Sequence, residues 1–368
     1  MSKTNKSDIF LLIAVSAALV LGGLSLLFFP TPRFSAAENR LLAERPVFSW
    51  QALWQGDYTA AWENYTVERL TGRDVLRRTH AVCELALGKK ECGTVMLCRD
   101  GSLAARSQSN EKLQERNLKG IAGIGRACRE QGLPLTIALI PYRAEARACI
   151  LPLHYHTAVT AALDRALSET KEKAVVLDGI QDDRAWFRTD HHWTAKGAYA
   201  AYCALAPMLG YTPYAKEDFQ QTAISHSFYG TGAKASGIPW ISPDVITLWR
   251  YADDEAYQLC KDGKAADFNG FYDFEKVDTC DGYAVFLGGN DGLLTVEKTD
   301  EDTRPTLLLW RDSYAAALIP FLARHYRIVA IDPRYYRGDT KALLANADRA
   351  LLIAGALTLA ESAFLTSK

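Results

Sequence analysis

Asp190, His191, His192 and Trp193 stand in a row within WFRTDHHWTAKGAYAAY, the stretch from Trp186 to Tyr202. The chain has only seven histidines, so two beside an aspartate call for a chemical reason. A carboxylate that orients a neutral imidazole makes a general base. The same residue types ligate zinc or manganese. A crowded loop is the third answer. A base needs a nucleophile, and Ser313 is the natural one. It follows the apolar run TLLLW, Thr306 to Trp310, and opens a helix. A sharp turn there would present its Oγ, and its own N–H would lie near a helix N-terminus, where it could steady an oxyanion. Serine in such a place is also a common N-cap, and taken alone the cap is the commoner use. His191 reads as a loop or partly buried histidine.

These side chains need a frame. LTIALI (135–140), KAVVL (173–177), TLLLW (306–310), RIVAI (327–331) and 350–354 are apolar runs that read as strands. Val95–Met96, 245–249 and 284–287 read as shorter ones. Helical patterns over 110–131, 157–171, 194–209, 314–324 and 340–345 alternate with them. The expected fold is α/β, with a mostly parallel sheet covered by helices on both faces. In such sheets ligands sit beyond the carboxyl ends of the strands. Four places then matter: Asp190–Trp193, Gly288–Asp291, Arg311–Tyr314 and Asp332–Arg334. Between Tyr214 and Asp281 the alternation fails, which marks an irregular insertion of about 214–281. No internal repeat is visible.

The chain of 368 residues is 49% hydrophobic and 23% charged, with a formal net charge of −1. That is ordinary globular composition. It has no long basic run and gives no support to a nucleic-acid partner. Ile9 to Phe29 carries no charge, and Lys3 and Lys6 precede it. A helix of that length crosses a hydrocarbon core of about 30 Å. The positive-inside rule leaves residues 1–8 in the cytoplasm and the bulk of the chain outside. A cleaved signal peptide would have a shorter apolar region, although Ser35-Ala36-Ala37 keeps cleavage open. The expected organisation is therefore 1–8 cytoplasmic, 9–29 transmembrane anchor, 30–80 N-terminal arm and 81–368 catalytic-type domain. All eight cysteines follow the anchor. Disulfides and buried thiols are both open to them. No Cys-x-x-C occurs, which argues against a zinc ribbon or a thioredoxin-type site.

Together these motifs resemble the DHHW family, named for Asp190-His191-His192-Trp193 and related to the SGNH-like acetyltransferases of alginate biosynthesis. ENRLLAERP (38–46), ERLTGRD (68–74), CRDGSL (98–103), FYGTGAKASG (228–237), YAVFLGGN (283–290), LLWRDSYAAALIPFL (308–322) and IDPRYY (331–336) are similar to family segments and stand in family order. The resemblance implies an SGNH-hydrolase-like three-layer α/β/α domain with a permuted order of motifs, because the serine follows the aspartate and histidine. It implies that Asp190 orients, His192 is the base and Ser313 the nucleophile, with no cofactor or metal. Gly288-Gly289-Asn290-Asp291 is similar to the Gly-x-Asn-Asp block whose asparagine completes an oxyanion hole; it is also rich turn chemistry. Arg311 stands where many relatives have glycine, and it could crowd the turn, bind an anionic saccharide or assist the oxyanion. Arg143 is a second candidate substrate contact, against a plain solvated arginine.

The implied activity is O-acetyl transfer to, or acetyl-ester hydrolysis of, a surface or secreted polysaccharide through an acetyl-serine. A polytopic membrane O-acyltransferase would supply the acyl group. Two other classes compete. One is a non-catalytic polysaccharide-binding or assembly protein. The other is a manganese phosphoesterase, some of which share the Asp-His-His fragment; those use aspartate-rich motifs nearer the N-terminus, and no Asp-x-Asp pair precedes these histidines.

Overall fold

The structure is a computed structural model that describes residues 6–28, 33–35, 40–147, 150–153, 155–168, 174–299 and 302–365, with the side chains at 8, 18, 19, 25–27 and 40 left out. Two compact units are present. One is Met1–Lys89 with Gly237–Pro239, and the other is Lys90–Ser236 with Trp240–Lys368.

The first unit is helical. Its helices are Lys6–Phe28, Trp50–Gln55, Asp57–Arg69 and Arg73–Ala86. Gly56 at φ 82° both ends the second and starts the third, a left-handed conformation that glycine adopts without steric cost. The expected membrane segment coincides with the first helix, but Phe29 and residues 30–32 and 36–39 lie outside the described residues. Among the described residues no helix is long and apolar enough to cross a membrane.

The second unit is built on an eight-stranded sheet. In spatial order its strands are Lys264–Ala265, Tyr257–Lys261, Leu293–Lys298, Arg327–Ile331, Thr306–Arg311, Arg349–Gly355, Leu135–Ile140 and Ala174–Val176. The last five run parallel, and the first three form an antiparallel edge. The sheet is thus mixed rather than uniformly parallel.

The central strands are apolar throughout because both of their faces are covered. Side chains alternate across a strand. Leu307, Leu309, Ile328, Ala330, Leu351 and Ile353 pack on one face with the helices Ala195–Leu209 and Ala315–Leu322. Leu308, Trp310, Val329, Leu352 and Leu139 pack on the other with Glu111–Glu130, Val159–Ser168 and Ala356–Glu361. Each fully buried leucine contributes about 1.5–3 kcal/mol of transfer free energy. Asn110 and Thr194 cap their helices through side-chain oxygens, as their positions before apolar runs suggest.

Several expectations change. Ala284–Leu287 is not a strand. Gly282–Val285 forms one 3₁₀ turn, and Leu287 takes φ 62°. The insertion is less irregular than its composition implies: Gln220–Phe228 and Asp244–Arg250 pair antiparallel with register shifts, which extends the short strand expected at 245–249. Residues 169–173, at the end of one expected helix and the start of the next strand, lie outside the described residues. Among the described residues Cys83, Cys98, Cys128, Cys203, Cys260 and Cys280 are unbridged thiols, and Cys149 lies outside them.

Candidate active site

Ser313 lies two residues beyond the strand Thr306–Arg311 and two before the helix Ala315–Leu322. Its Oγ makes no capping bond. It lies 2.7 Å from His192 Nε2. His192 Nδ1 is 2.6 Å from Asp190 Oδ1. Asp190 and His192 are buried, and Ser313 is half-buried. Three residues from two distant parts of the chain thus form one continuous hydrogen-bonded line.

The aspartate is fully engaged. Oδ1 also accepts from the His192 backbone N–H at 2.9 Å, and Oδ2 accepts from the Thr231 N–H at 2.7 Å and its hydroxyl at 3.0 Å. Burial alone would raise its pKa. The neighbouring His191 and His192 and the bonds from His192 outweigh that and hold it well below the usual carboxylate range. The carboxylate therefore stays charged and can fix the imidazole so that Nε2 faces the serine.

The loop that presents these groups is braced on every side. The Phe187 N–H donates to the His192 carbonyl, and Trp186 and Trp193 form a bridge. Trp193 Nε1 donates to the Tyr314 carbonyl at 2.9 Å, and the Tyr314 hydroxyl donates to the His191 carbonyl at 2.7 Å. These two reciprocal bonds lock the histidine loop to the serine turn. Tyr283 stacks on the His192 ring at 3.9 Å between centroids and 7° between planes. Asp244 accepts from the N–H groups of Arg188 and Thr189 and from the Thr189 hydroxyl. Gly230 closes over the site so tightly that an added Cβ would lie 2.3 Å from Asp190 Cβ.

On the serine side, Asp312 is buried and ties the turn to the next strand. Its Oδ2 accepts from the Gly355 N–H at 2.8 Å and the Thr358 hydroxyl at 2.7 Å, and its Oδ1 accepts from the Tyr314 N–H. Thr231, Tyr283, Tyr314, Asp312 and Asp244 had not been singled out for roles. Four of them lie in the segments FYGTG, YAVFLGGN and RDSY, and Asp244 lies in none.

The other sequence candidates fall in different settings. His191 is partly exposed, with Nδ1 2.9 Å from the Thr231 hydroxyl. Asn290 is exposed, and its Oδ1 accepts from Arg311 Nη1 at 2.7 Å. Arg311 is fully buried rather than open to a saccharide. Arg143 is also buried, at 4% exposure, so it is not a solvated side chain. Its Nη1 donates to the Leu103 carbonyl at 2.7 Å.

Asp190, His191 and His192 offer donor atoms within 4.8 Å of one another, the one such group of three among the described residues. They fit a resident cation poorly. Both Asp190 oxygens already accept two hydrogen bonds each, and the two nitrogens of His192 are engaged by Asp190 and Ser313.

Fold and site together define a mixed α/β protein with a serine, a histidine and an aspartate aligned at the carboxyl end of its sheet. Residues 171–331 match the family model described as DHHW protein. That matched stretch holds Asp190, His192, Asn290, Arg311 and Ser313 and leaves out Arg143. Comparison with curated proteins gives no match. Among solved structures the chain is similar to a DHHW family protein from Eubacterium siraeum, at 19% identity and a TM-score of 0.58 over 73% of this chain and 94% of that one. It is also similar to Bacillus cereus PatB1, at 18% identity and a TM-score of 0.61 over 74% of this chain and 99% of that one. A second PatB1 structure, with a sulfonyl adduct, matches at 19% identity and a TM-score of 0.60 over 75% and 99%. At such identities these likenesses show the fold.

Proposed function

We propose that this chain is a membrane-anchored, outward-facing O-acetyltransferase or acetyl esterase that acts on a cell-surface or secreted polysaccharide through an acetyl-serine at Ser313. The observation that carries the reading is the line from Ser313 Oγ to His192 Nε2 to Asp190 Oδ1, at 2.7 and 2.6 Å. Both spacings are within the reach a nucleophile, its base and the base's orienting group require.

In the first half-reaction Ser313 Oγ attacks the acetyl carbonyl as His192 Nε2 takes the hydroxyl proton. Negative charge develops on the carbonyl oxygen, where the Ser313 N–H and the Asn290 amide are the candidate donors. Collapse expels the donor alcohol or thiol, which receives the proton from His192, and leaves acetyl-Ser313. In the second half a sugar hydroxyl gives its proton to His192 and attacks the acetyl carbon. Expulsion of Ser313 Oγ, reprotonated by His192, yields the O-acetyl sugar. Water in place of the sugar gives acetate. Throughout, Asp190 holds the imidazole in place and offsets its charge.

Anchoring rests on the uncharged stretch Ile9–Phe29 and on Lys3 and Lys6 before it. With the catalytic unit outside the cell, cytosolic acetyl-CoA is out of reach. For the transferase reading, a polytopic membrane O-acyltransferase that exports the acyl group is the proposed donor partner.

The test is release of acetate from p-nitrophenyl acetate by the full-length protein in detergent, for the native chain and Ser313→Ala, with and without chelator. Chelator-insensitive activity that Ser313→Ala abolishes is expected. Acceptor oligosaccharides then separate transfer from hydrolysis, and activity unchanged by Ser313→Ala would refute the serine route.

A further inference from the structure

Arg311 is a buried cation with an unusual lack of partners. It is 0% exposed, and Nε and Nη2 have no hydrogen-bond partner among the described residues. Its one bond there runs from Nη1 to Asn290 Oδ1, at 2.7 Å. The carboxylates of Asp332, Asp291 and Asp312 are near enough to act on its charge, yet none of them accepts a hydrogen bond from it among the described residues. Asp332 accepts from Arg334 Nε at 2.9 Å and Nη2 at 2.6 Å. Asp291 lies 3.1 Å from Lys261 Nζ. Asp312 accepts from Gly355, Thr358 and Tyr314. Arg324, another buried arginine of the same chain, meets the carboxylates of both Asp253 and Asp254. A purely structural arginine is satisfied in that way, because an unpaired buried charge is costly. Buried polar groups left unmatched call for a functional account.

The bond also settles the orientation of Asn290. A guanidinium has donors and no acceptor. The carboxamide oxygen must therefore face Arg311, which leaves the Asn290 Nδ2 donors pointing away from it. The backbone that carries Asn290 is held in a sparsely populated conformation. Leu287, Gly288 and Gly289 have φ of 62°, 71° and 101°, and Lys261 Nζ donates to the Gly288 carbonyl at 2.9 Å. Leu287 is a bulky residue in the left-handed region, a strain that persists where the surroundings impose it.

We propose that Arg311 is a positioning residue rather than a saccharide contact: it fixes the Asn290 side chain so that Nδ2 serves as an oxyanion donor for the ester carbonyl attacked by Ser313. This rests on the acyl-serine reading above. It assigns a role to the arginine that replaces a small residue in the serine turn.

The test is a double-mutant cycle on the full-length protein, with kcat and KM for p-nitrophenyl acetate. Asn290→Ala should lower kcat by about 10²–10³-fold with little change in KM, the usual loss of one oxyanion donor. Arg311→Met, similar in length but without charge or donors, should lower kcat at least about tenfold in the native background and not further in the Asn290→Ala background. Effects that multiply would overturn the proposal, because a structural arginine damages both backgrounds alike. Should Arg311→Met fail to fold, Arg311→Leu, also without charge or donors, carries the same cycle. A readout independent of turnover is the Asn290 side-chain amide resonance pair, assigned by its absence in Asn290→Ala. It should shift in the Arg311 variant, and an unmoved pair would refute the bond. Full activity in Ser313→Ala would instead fault the acyl-serine reading, which separates the two failures.

Discussion

Gly230→Ala is the most informative small perturbation, because it adds one methyl group at the back of Asp190. The new Cβ would lie 2.3 Å from Asp190 Cβ, 2.5 Å from Oδ2 and 2.7 Å from Cα. Ordinary contact begins at 3.4 Å, so about 1 Å of movement is needed. Two of the three atoms belong to the start of the side chain and the backbone, which cannot swing aside as a long side-chain end can. If Asp190 gives way, its 2.6 Å bond to His192 stretches to about 3.6 Å and ceases to be a hydrogen bond. If the 230 loop gives way, the two bonds from Thr231 to Oδ2 go. A misplacement of about 1 Å costs about 10²-fold in rate. Overpacking costs about 1–3 kcal/mol of stability. Steady-state kinetics on p-nitrophenyl acetate should show kcat down by about 10²-fold with KM little changed. A folded variant with kcat within about threefold of native would refute the reasoning that Asp190 must be held where it is.

Gly123→Ala is the matched control: it sits within the helix Glu111–Glu130 with nothing within 4 Å of an added Cβ. It should raise the denaturation midpoint by the equivalent of about 0.5–1 kcal/mol and leave kcat unchanged; a loss of activity would show that glycine substitutions act generally on this fold. Asp190 also predicts a pH effect. Its folded-state pKa lies well below the usual range, so its contribution is full above the unfolded value of about 3.9 and is lost as pH falls through the lower folded value. Denaturant midpoints should show that Asp190→Asn flattens the pH dependence of stability below about pH 4, and an unchanged slope would contradict the charge pairing. Chelator should leave activity intact, since the Asp190–His192 cluster is hydrogen-bonded throughout; loss on chelation, restored by manganese or zinc, would favour the metal reading instead.

What was legible in the sequence follows from burial. The strands 306–311, 327–331, 349–355 and 135–140 are covered on both faces, so they are nearly continuous apolar runs with no rival pattern. Tyr257–Lys261 and Leu293–Lys298 belong to the antiparallel edge and interleave polar residues with their buried ones, so no continuous apolar run marks them. AVFL at 284–287 misled because apolar runs are equally at home in a buried turn. The aspartate, histidine and serine were legible because their types are chemically specific. Thr231 and Tyr283 were not: one contributes hydrogen bonds across 41 positions and the other a ring stacked on His192, and neither interaction leaves a local pattern. The fate of Arg311 was hidden for the same reason, since only the fold shows that its guanidinium meets Asn290 instead of solvent.

The central claim is that Ser313 becomes acetylated, and the direct measurement is peptide mass spectrometry after brief exposure to p-nitrophenyl acetate and an acid quench. The account predicts one acetyl group on the peptide that contains Ser313, absent from Ser313→Ala and accumulating in His192→Ala only slowly, because that variant lacks the base for attack. Turnover without any acetyl on Ser313, or with the acetyl on another residue whose loss abolishes activity, would contradict it.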